Sequence, residues 1–254
     1  MVRIEKIETL HSLLKLIEAS IEASPGPRWF RGAGNYDHGL IPALFRHPEV
    51  RTNSLDPMTL ESRLDARFKQ TSPPFLNSPP VTALDWMFMA QHFGVPTRLL
   101  DWSENPFIAL YFALSTSKQG SMACVWVLDP LLWTKRSLNN NNLPRIPDPA
   151  DVATKRFIES LSDDLAPRTD PIAIYSNHTN PRVVAQRGTF TIFGRGTAAM
   201  ESIGYAKDCL LCIVVEDSVK ADLYNKLLSI GYTHSVIYPD LSGLGAELKT
   251  SFGF

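Results

Sequence analysis

The chain has 254 residues, with 25 Lys and Arg against 26 Asp and Glu, a formal net charge of −1, 44% hydrophobic residues and 20% charged ones. That composition suits one sizeable folded domain, or two small ones, and excludes a disordered chain. Balanced charge gives no overall pull toward nucleic acid or an anionic membrane, although a local basic groove remains compatible with it.

No apolar run approaches the roughly 18 to 20 residues of a membrane span. The start Met-Val-Arg-Ile-Glu-Lys-Ile-Glu lacks the apolar core of a leader peptide, so a cytoplasmic protein is expected. Ile7, Leu10, Leu14, Ile17 and Ile21 recur at steps of three and four, which predicts an amphipathic helix over 7–21. Ser24-Pro25-Gly26-Pro27 stops it, and Arg28-Trp29-Phe30-Arg31-Gly32 reads as a short strand ending at a glycine-rich bend. A charged helix over 57–70 follows, with Asp56 as its cap and Pro57 at its first position. Pro73, Pro74, Pro79 and Pro80 bracket a loop before a helix over 81–92, which runs into Gly94 and Pro96.

A helix over about 104–115 and a Val- and Trp-rich strand over 122–128 come next. The tract 137–149, with four asparagines from Asn139 to Asn142, is expected to be a polar inserted loop with no capacity for a core. Beyond it the pattern predicts a helix over 152–161 and strands near 172–175, 189–193 and 209–215. A helix over 218–230, a strand at 235–238 and a helix after Pro239 close the chain. Helices dominate the first half and strands the second, without steady βαβ alternation. The expected fold class is therefore α+β, a single mixed domain over 25–250 preceded by an N-terminal helix within 1–24.

Three cysteines cannot build a disulfide framework. Cys209-Leu-Leu-Cys212 has C-x-x-C spacing, but residues three apart on a strand face opposite sides, and no second Cys/His pair accompanies it. Small apolar core residues are the simpler reading. The histidines at 11, 38, 47, 92, 178 and 234 are scattered, with no His-x-x-x-His pair and no Gly-x-Ser-x-Gly elbow. No metal is expected.

Three clusters carry chemistry. In Trp29-Phe30-Arg31-Gly32-Ala33-Gly34, an Arg between aromatic and glycine residues offers a planar fork suited to phosphate or carboxylate. On spacing alone an internal salt bridge is the commoner role for such an Arg, because buried Arg is usually paired. The stretch Gln91-His92-Phe93-Gly94-Val95-Pro96-Thr97-Arg98-Leu99-Leu100-Asp101-Trp102-Ser103 gathers an imidazole, a guanidinium, a carboxylate and two hydroxyls. Such groups bind a polar ligand or move a proton. Alternatively Arg98 pairs with Asp101 to clamp the turn, Ser103 caps the next helix and His92 bonds at a helix end. The third cluster, Arg182 to Thr191, reads as the beginning of a strand with a bend at Gly188; Arg182 and Gln186 acquire no chemistry from spacing alone.

Taken together and in this order, the clusters resemble the FRG family, named for an aromatic-Arg-Gly motif that is Phe30-Arg31-Gly32 here. The likeness continues through Leu40-Ile41-Pro42-Ala43-Leu44 with Arg46, Glu61 with Phe68, and the stretch from Gln91 to Ser103. Asn105-Pro106, Ala109-Leu110-Tyr111-Phe112-Ala113, Gln186-x-Gly188-x-Phe190 and Tyr238-Pro239-Asp240-Leu241 extend it over about residues 25–250. The layout is also similar, distantly, to ADP-ribosyltransferases of the Arg-Ser-Glu type. That resemblance implies an enzyme that binds NAD or a related nucleotide and transfers ADP-ribose to a protein or RNA, or hydrolyses NAD, in a bacterial toxin or anti-phage role. By the same resemblance Arg31 holds the pyrophosphate with help from Arg98. His92 and Ser103 position the nicotinamide ribose, Gly32, Thr97 and Gln186 complete the ligand contacts, and Asp101 or Glu61, from elsewhere in the fold, is the candidate to substitute for the family's carboxylate. The family's later-strand Glu has no counterpart, because residues 182–190 contain none. The alternative is a non-catalytic nucleotide-sensing or protein-binding module, and no membrane partner is expected.

Overall fold

The computed structural model of the chain describes residues 1–76, 78–161, 170–177 and 181–254. From the N-terminus, β1 (Arg3–Ile7), α1 (Leu10–Ala23), β2 (Trp29–Ala33) and the short α2 (Pro48–Arg51) are followed by α3 (Pro57–Thr71), α4 (Ala83–His92), β3 (Leu99–Ser103) and α5 (Pro106–Ser115). The chain continues through β4 (Ala123–Leu128), α6 (Pro130–Leu138), α7 (Val152–Ser160), β5 (Ile172–Ile174), α8 (Pro181–Ala185) and β6 (Gly188–Ile192). It ends with α9 (Ala206–Cys209), β7 (Leu210–Val215), α10 (Asp217–Ser229), α11 (His234–Ile237) and α12 (Leu241–Ser251). The fold is α+β in one domain.

Local chemistry starts the helices that matter for the site. Asp56 Oδ2 accepts from the Thr59 N–H at 2.8 Å, with Pro57 at the first helical position of α3. Thr82 and Asp85 capture each other's backbone N–H at the start of α4, and Asn105 Oδ1 accepts from the Phe107 N–H at 2.9 Å at the start of α5. Each such cap satisfies donors that a helix end leaves unpaired.

The strands form one sheet in the order β1-β7-β4-β2-β3-β6-β5. β1 runs parallel to β7 and all other neighbours are antiparallel. Period-two alternation along β2 sends Trp29 to one face, with Phe45, Trp102, Trp126 and Trp133, and Phe30 to the other, with Leu13, Ile108, Leu110 and Leu223. A third cluster under α4 and α7 joins Leu84, Leu99, Phe157 and Phe190. Gly32 lies where β2 meets α5. A Cβ there would stand 1.8 Å from the Ala109 carbonyl oxygen, so only glycine lets the helix lie this close.

Several sequence expectations need correction. The first element is a strand, β1, a sheet edge on which only Ile7 is buried; Ile7 ends it instead of opening the helix expected over 7–21, and α1 begins at Leu10 behind the Thr9 cap. The tract 137–149 does contribute to the core. α6 extends to Leu138, Leu143 and Ile146 are buried, and the Pro147 carbonyl accepts from Tyr175 N–H. Residues 235–238 are mostly the helical turn α11, where Glu247 captures the Ser235 N–H at 2.7 Å and overrides the β-branched pattern. Arg182 to Gln186 belongs to a helical turn, α8, its end and the bend, with β6 starting only at Gly188. Cys209 closes α9 instead of opening a strand. It therefore buries in the same cluster as Cys212 rather than on the opposite face, and burial pushes its thiol up to about 12.

Among the described residues no group of three His, Cys, Asp or Glu is arranged to hold a metal, and His178 lies outside them. No helix among them is long and apolar enough to cross a membrane.

Candidate functional site

The sheet changes character between β2 and β3. β2 is in register with β4 over five residue pairs and β3 with β6 over five, but β2 and β3 share only the pair Phe30–Ser103. Beyond that pair the two strands part, and a cleft occupies the gap. Arg31 spans it: Nη1 donates to the Asp101 main-chain carbonyl at 2.7 Å and stands 3.8 Å from the Asp101 carboxylate. Only 23% of the Arg31 side chain is exposed. Burial, more than any charge, lowers its pKa; the Asp101 carboxylate opposes this and the Arg46 guanidinium adds to it. Arginine keeps its proton regardless, so the cleft holds a partly dehydrated positive charge.

Two compartments meet at this gap. The polar one, about 370 Å³, is lined by Arg31, Gly32, His38, Arg46 and Ser103, with α5 behind them. The larger, about 570 Å³, is mostly apolar and includes Phe75, Val81, Phe88, Met89, Phe93 and Phe190. Gln91, Asp101, Trp102, Arg182 and Gln186 face both compartments. A carboxylate whose side chain is 56% exposed thus stands on the boundary between a cationic pocket and an aromatic one.

Arg31, Gly32, Asp101, Ser103 and Gln186, distant in sequence, share the polar compartment, and His92 lines the apolar one. His92 is held below the usual imidazole value, first by burial and then by the Arg182 charge, with Asp240 opposing. The Ser103 hydroxyl is fully engaged. It donates to the Gln186 carbonyl at 2.7 Å and accepts from Asn105 N–H at 3.0 Å, while Asn105, not Ser103, caps α5. Gln186 Nε2 donates to the Ile237 carbonyl at 3.1 Å, tying the cleft wall to α11.

Thr97, Arg98 and Glu61 line neither compartment. The expected Arg98–Asp101 clamp does not form, because Arg98 lies in the bend just before β3 and its guanidinium turns away from the cleft. Arg98 is buried and turns instead to Glu61 on α3, with Nε 2.8 and 2.9 Å from the two carboxylate oxygens and Nη2 bonded to Oε2 as well. Asp101 Oδ2 accepts from Gln91 Nε2 at 2.8 Å.

Three contributors were not legible as site residues. Gln91 lies inside the conspicuous stretch, but its link to Asp101 depends on α4 folding back over β3. Arg46 reaches the polar compartment from the turn after Leu44, and among the described residues it makes no hydrogen bond or ion pair through its side chain. Arg182 sits with its guanidinium 4.7 Å from the Tyr238 ring centroid, a cation–π contact between segments 56 residues apart that no spacing reveals.

No curated protein and no solved structure matches this chain. Residues 26–121 match the family model of the FRG domain. That stretch holds β2, α4, β3 and α5, and with them Arg31, Gln91, Asp101 and Ser103, whereas Arg182 and Gln186 come from outside it. The chain carries an FRG domain, and the two strands that part to make the cleft both belong to it.

Proposed function

We propose that the cleft binds NAD or a closely related nucleotide and breaks the bond between nicotinamide and ribose. ADP-ribose then passes to a protein or RNA acceptor, or to water, in a bacterial toxin or anti-phage role. The observation that carries this reading is the position of Asp101 on the boundary between the arginine-lined and aromatic-lined compartments. An N-glycosidic bond joins a flat ring to a sugar phosphate. A ligand with its phosphates on Arg31 and Arg46 and its ring among Phe88, Phe93 and Phe190 presents that bond to Asp101.

When the bond breaks, both its electrons leave with the nicotinamide nitrogen, which loses its positive charge. Cationic character grows on the ribosyl carbon, and a fixed carboxylate stabilises it there. The acceptor's lone pair then forms the new bond, and the proton it loses passes to the Asp101 carboxylate or to water. Ser103 and Gln186 hold the wall against which the ribose rests, and His92 borders the ring's compartment. Arg98 and Glu61 contribute from behind by fixing α3 to β3.

Arg31→Lys tests the anion contact. Lysine keeps the charge and loses the fork, so affinity for ADP-ribose should fall about 10-fold, within the roughly 1–3 kcal/mol of a charge-assisted contact. The melting temperature should fall only about 2–4 °C, the effect of losing one bond to the Asp101 carbonyl. Calorimetry and thermal melting on the same sample check both; unchanged affinity with a large loss of stability would make Arg31 purely a strut across the gap. The second reading, a nucleotide-sensing module without chemistry, draws on one observation: the 182–190 segment brings Arg182 to the cleft and contains no Glu.

A further inference from the structure

Behind Asp101 lies a chain of hydrogen bonds that ties its carboxylate to the start of β3. Leu99 N–H donates to Thr97 Oγ1 at 3.0 Å, Thr97 Oγ1 donates to Gln91 Oε1 at 2.6 Å, and Gln91 Nε2 donates to Asp101 Oδ2 at 2.8 Å. Donor and acceptor bookkeeping fixes the direction of every link. An ionised carboxylate only accepts, so the Gln91 group facing Asp101 must be its NH₂. The amide oxygen therefore faces Thr97, whose hydroxyl proton is directed to it while a hydroxyl lone pair takes the Leu99 N–H. Swapping the Gln91 oxygen and nitrogen would set oxygen against oxygen at Asp101, so the arrangement excludes that alternative.

The anchor is rigid. Thr97 is buried, at 4% exposure, and Leu99 begins β3 in the core under α4. Arg31 holds the same residue from the opposite side through the Asp101 carbonyl. Asp101 is thus fixed at two points, its main chain by Arg31 and one carboxylate oxygen by Gln91. The second oxygen is left for the cleft.

We infer that Gln91, set by Thr97, is the positioning residue of the Asp101 carboxylate, aiming its free oxygen at the bond to be broken. This rests on the proposed NAD chemistry for its catalytic consequence, but not for its structural content. A catalytic group displaced by about 1 Å loses rate on the order of 100-fold with little effect on ligand affinity. Gln91 is therefore expected to act on turnover rather than on binding.

The experiment uses the full chain with Thr97→Val, Thr97→Ser and Gln91→Leu. Nicotinamide release from NAD gives kcat and KM, and ¹⁵N-labelled samples give the Gln91 side-chain amide resonances. Thr97→Val, which leaves the cleft lining unchanged, should lower kcat about 10- to 100-fold with KM within about twofold, and Gln91→Leu should lower kcat by a similar factor. Thr97→Ser, which restores the hydroxyl, should recover most of the rate. The Gln91 amide proton facing Asp101 should resonate downfield in the wild type and in Thr97→Ser, and move upfield in Thr97→Val. Gln91→Leu leaves the Leu99–Thr97 bond intact, so it stands in if Thr97→Val does not fold.

Unchanged kcat in both Thr97→Val and Gln91→Leu would overturn the inference while leaving the NAD reading standing. If the wild type releases no nicotinamide, the NAD reading falls and the amide resonance decides the relay alone. The same resonance in wild type and Thr97→Val then overturns it, and an upfield move confined to Thr97→Val supports it.

Discussion

Asp101→Asn is expected to lower nicotinamide release about 10²- to 10³-fold, the size of effect seen when one preorganised electrostatic stabiliser is removed from a reacting centre. Stability should barely change. The carboxylate is more than half exposed, its closest cation is 3.8 Å away, and asparagine can still accept the Gln91 bond through its own oxygen. An exposed, loosely paired charge contributes little to folding. An Arg98–Asp101 clamp, the alternative that the sequence spacing offers, would give the opposite outcome, a destabilised fold. That clamp does not form, because Arg98 faces away. A large fall in melting temperature together with full turnover would remove Asp101 from the reaction.

Glu61→Gln should do the reverse. Glu61 meets a buried guanidinium through both oxygens, and Arg98 also reaches the Phe193 carbonyl and the Met58 sulfur, so the pair joins α3 to the β3–β6 part of the sheet. Removing the negative partner leaves an uncompensated buried charge, which costs about 3–5 kcal/mol. Denaturant unfolding measures that loss. Residual folded protein at low temperature should still bind ADP-ribose, because neither residue lines the cleft. Loss of turnover at unchanged stability would instead place Glu61 at the reacting centre.

The contrast between these two carboxylates shows what sequence could and could not supply. Helices with clear periodicity and caps, such as α3 behind Asp56 and α4 before Gly94, were readable because their signals are local. The stretch around β3 was readable as chemically rich, but not as a bend and a strand that part company: Arg98, just before β3, goes to α3 and Asp101, within it, to the cleft. Gly32 looked like a residue for close ligand approach. It does line the polar compartment, yet its missing side chain is first required by the Ala109 carbonyl. The opening between β2 and β3 had no local signature at all, since it arises from a pairing that stops after Phe30–Ser103. Arg182 has no local signature either, because its place is set by Tyr238, far along the chain.

On this account the boundary of the two compartments is a site of N-glycosidic bond cleavage. Mass spectrometry of the purified full chain incubated with NAD tests it most directly. The expected result is free nicotinamide together with either ADP-ribose or a protein or RNA adduct heavier by one ADP-ribosyl group, with both lost in Asp101→Asn. Intact NAD that nevertheless binds saturably, with affinity reduced by Arg31→Lys, would contradict catalysis and leave a nucleotide-sensing cleft.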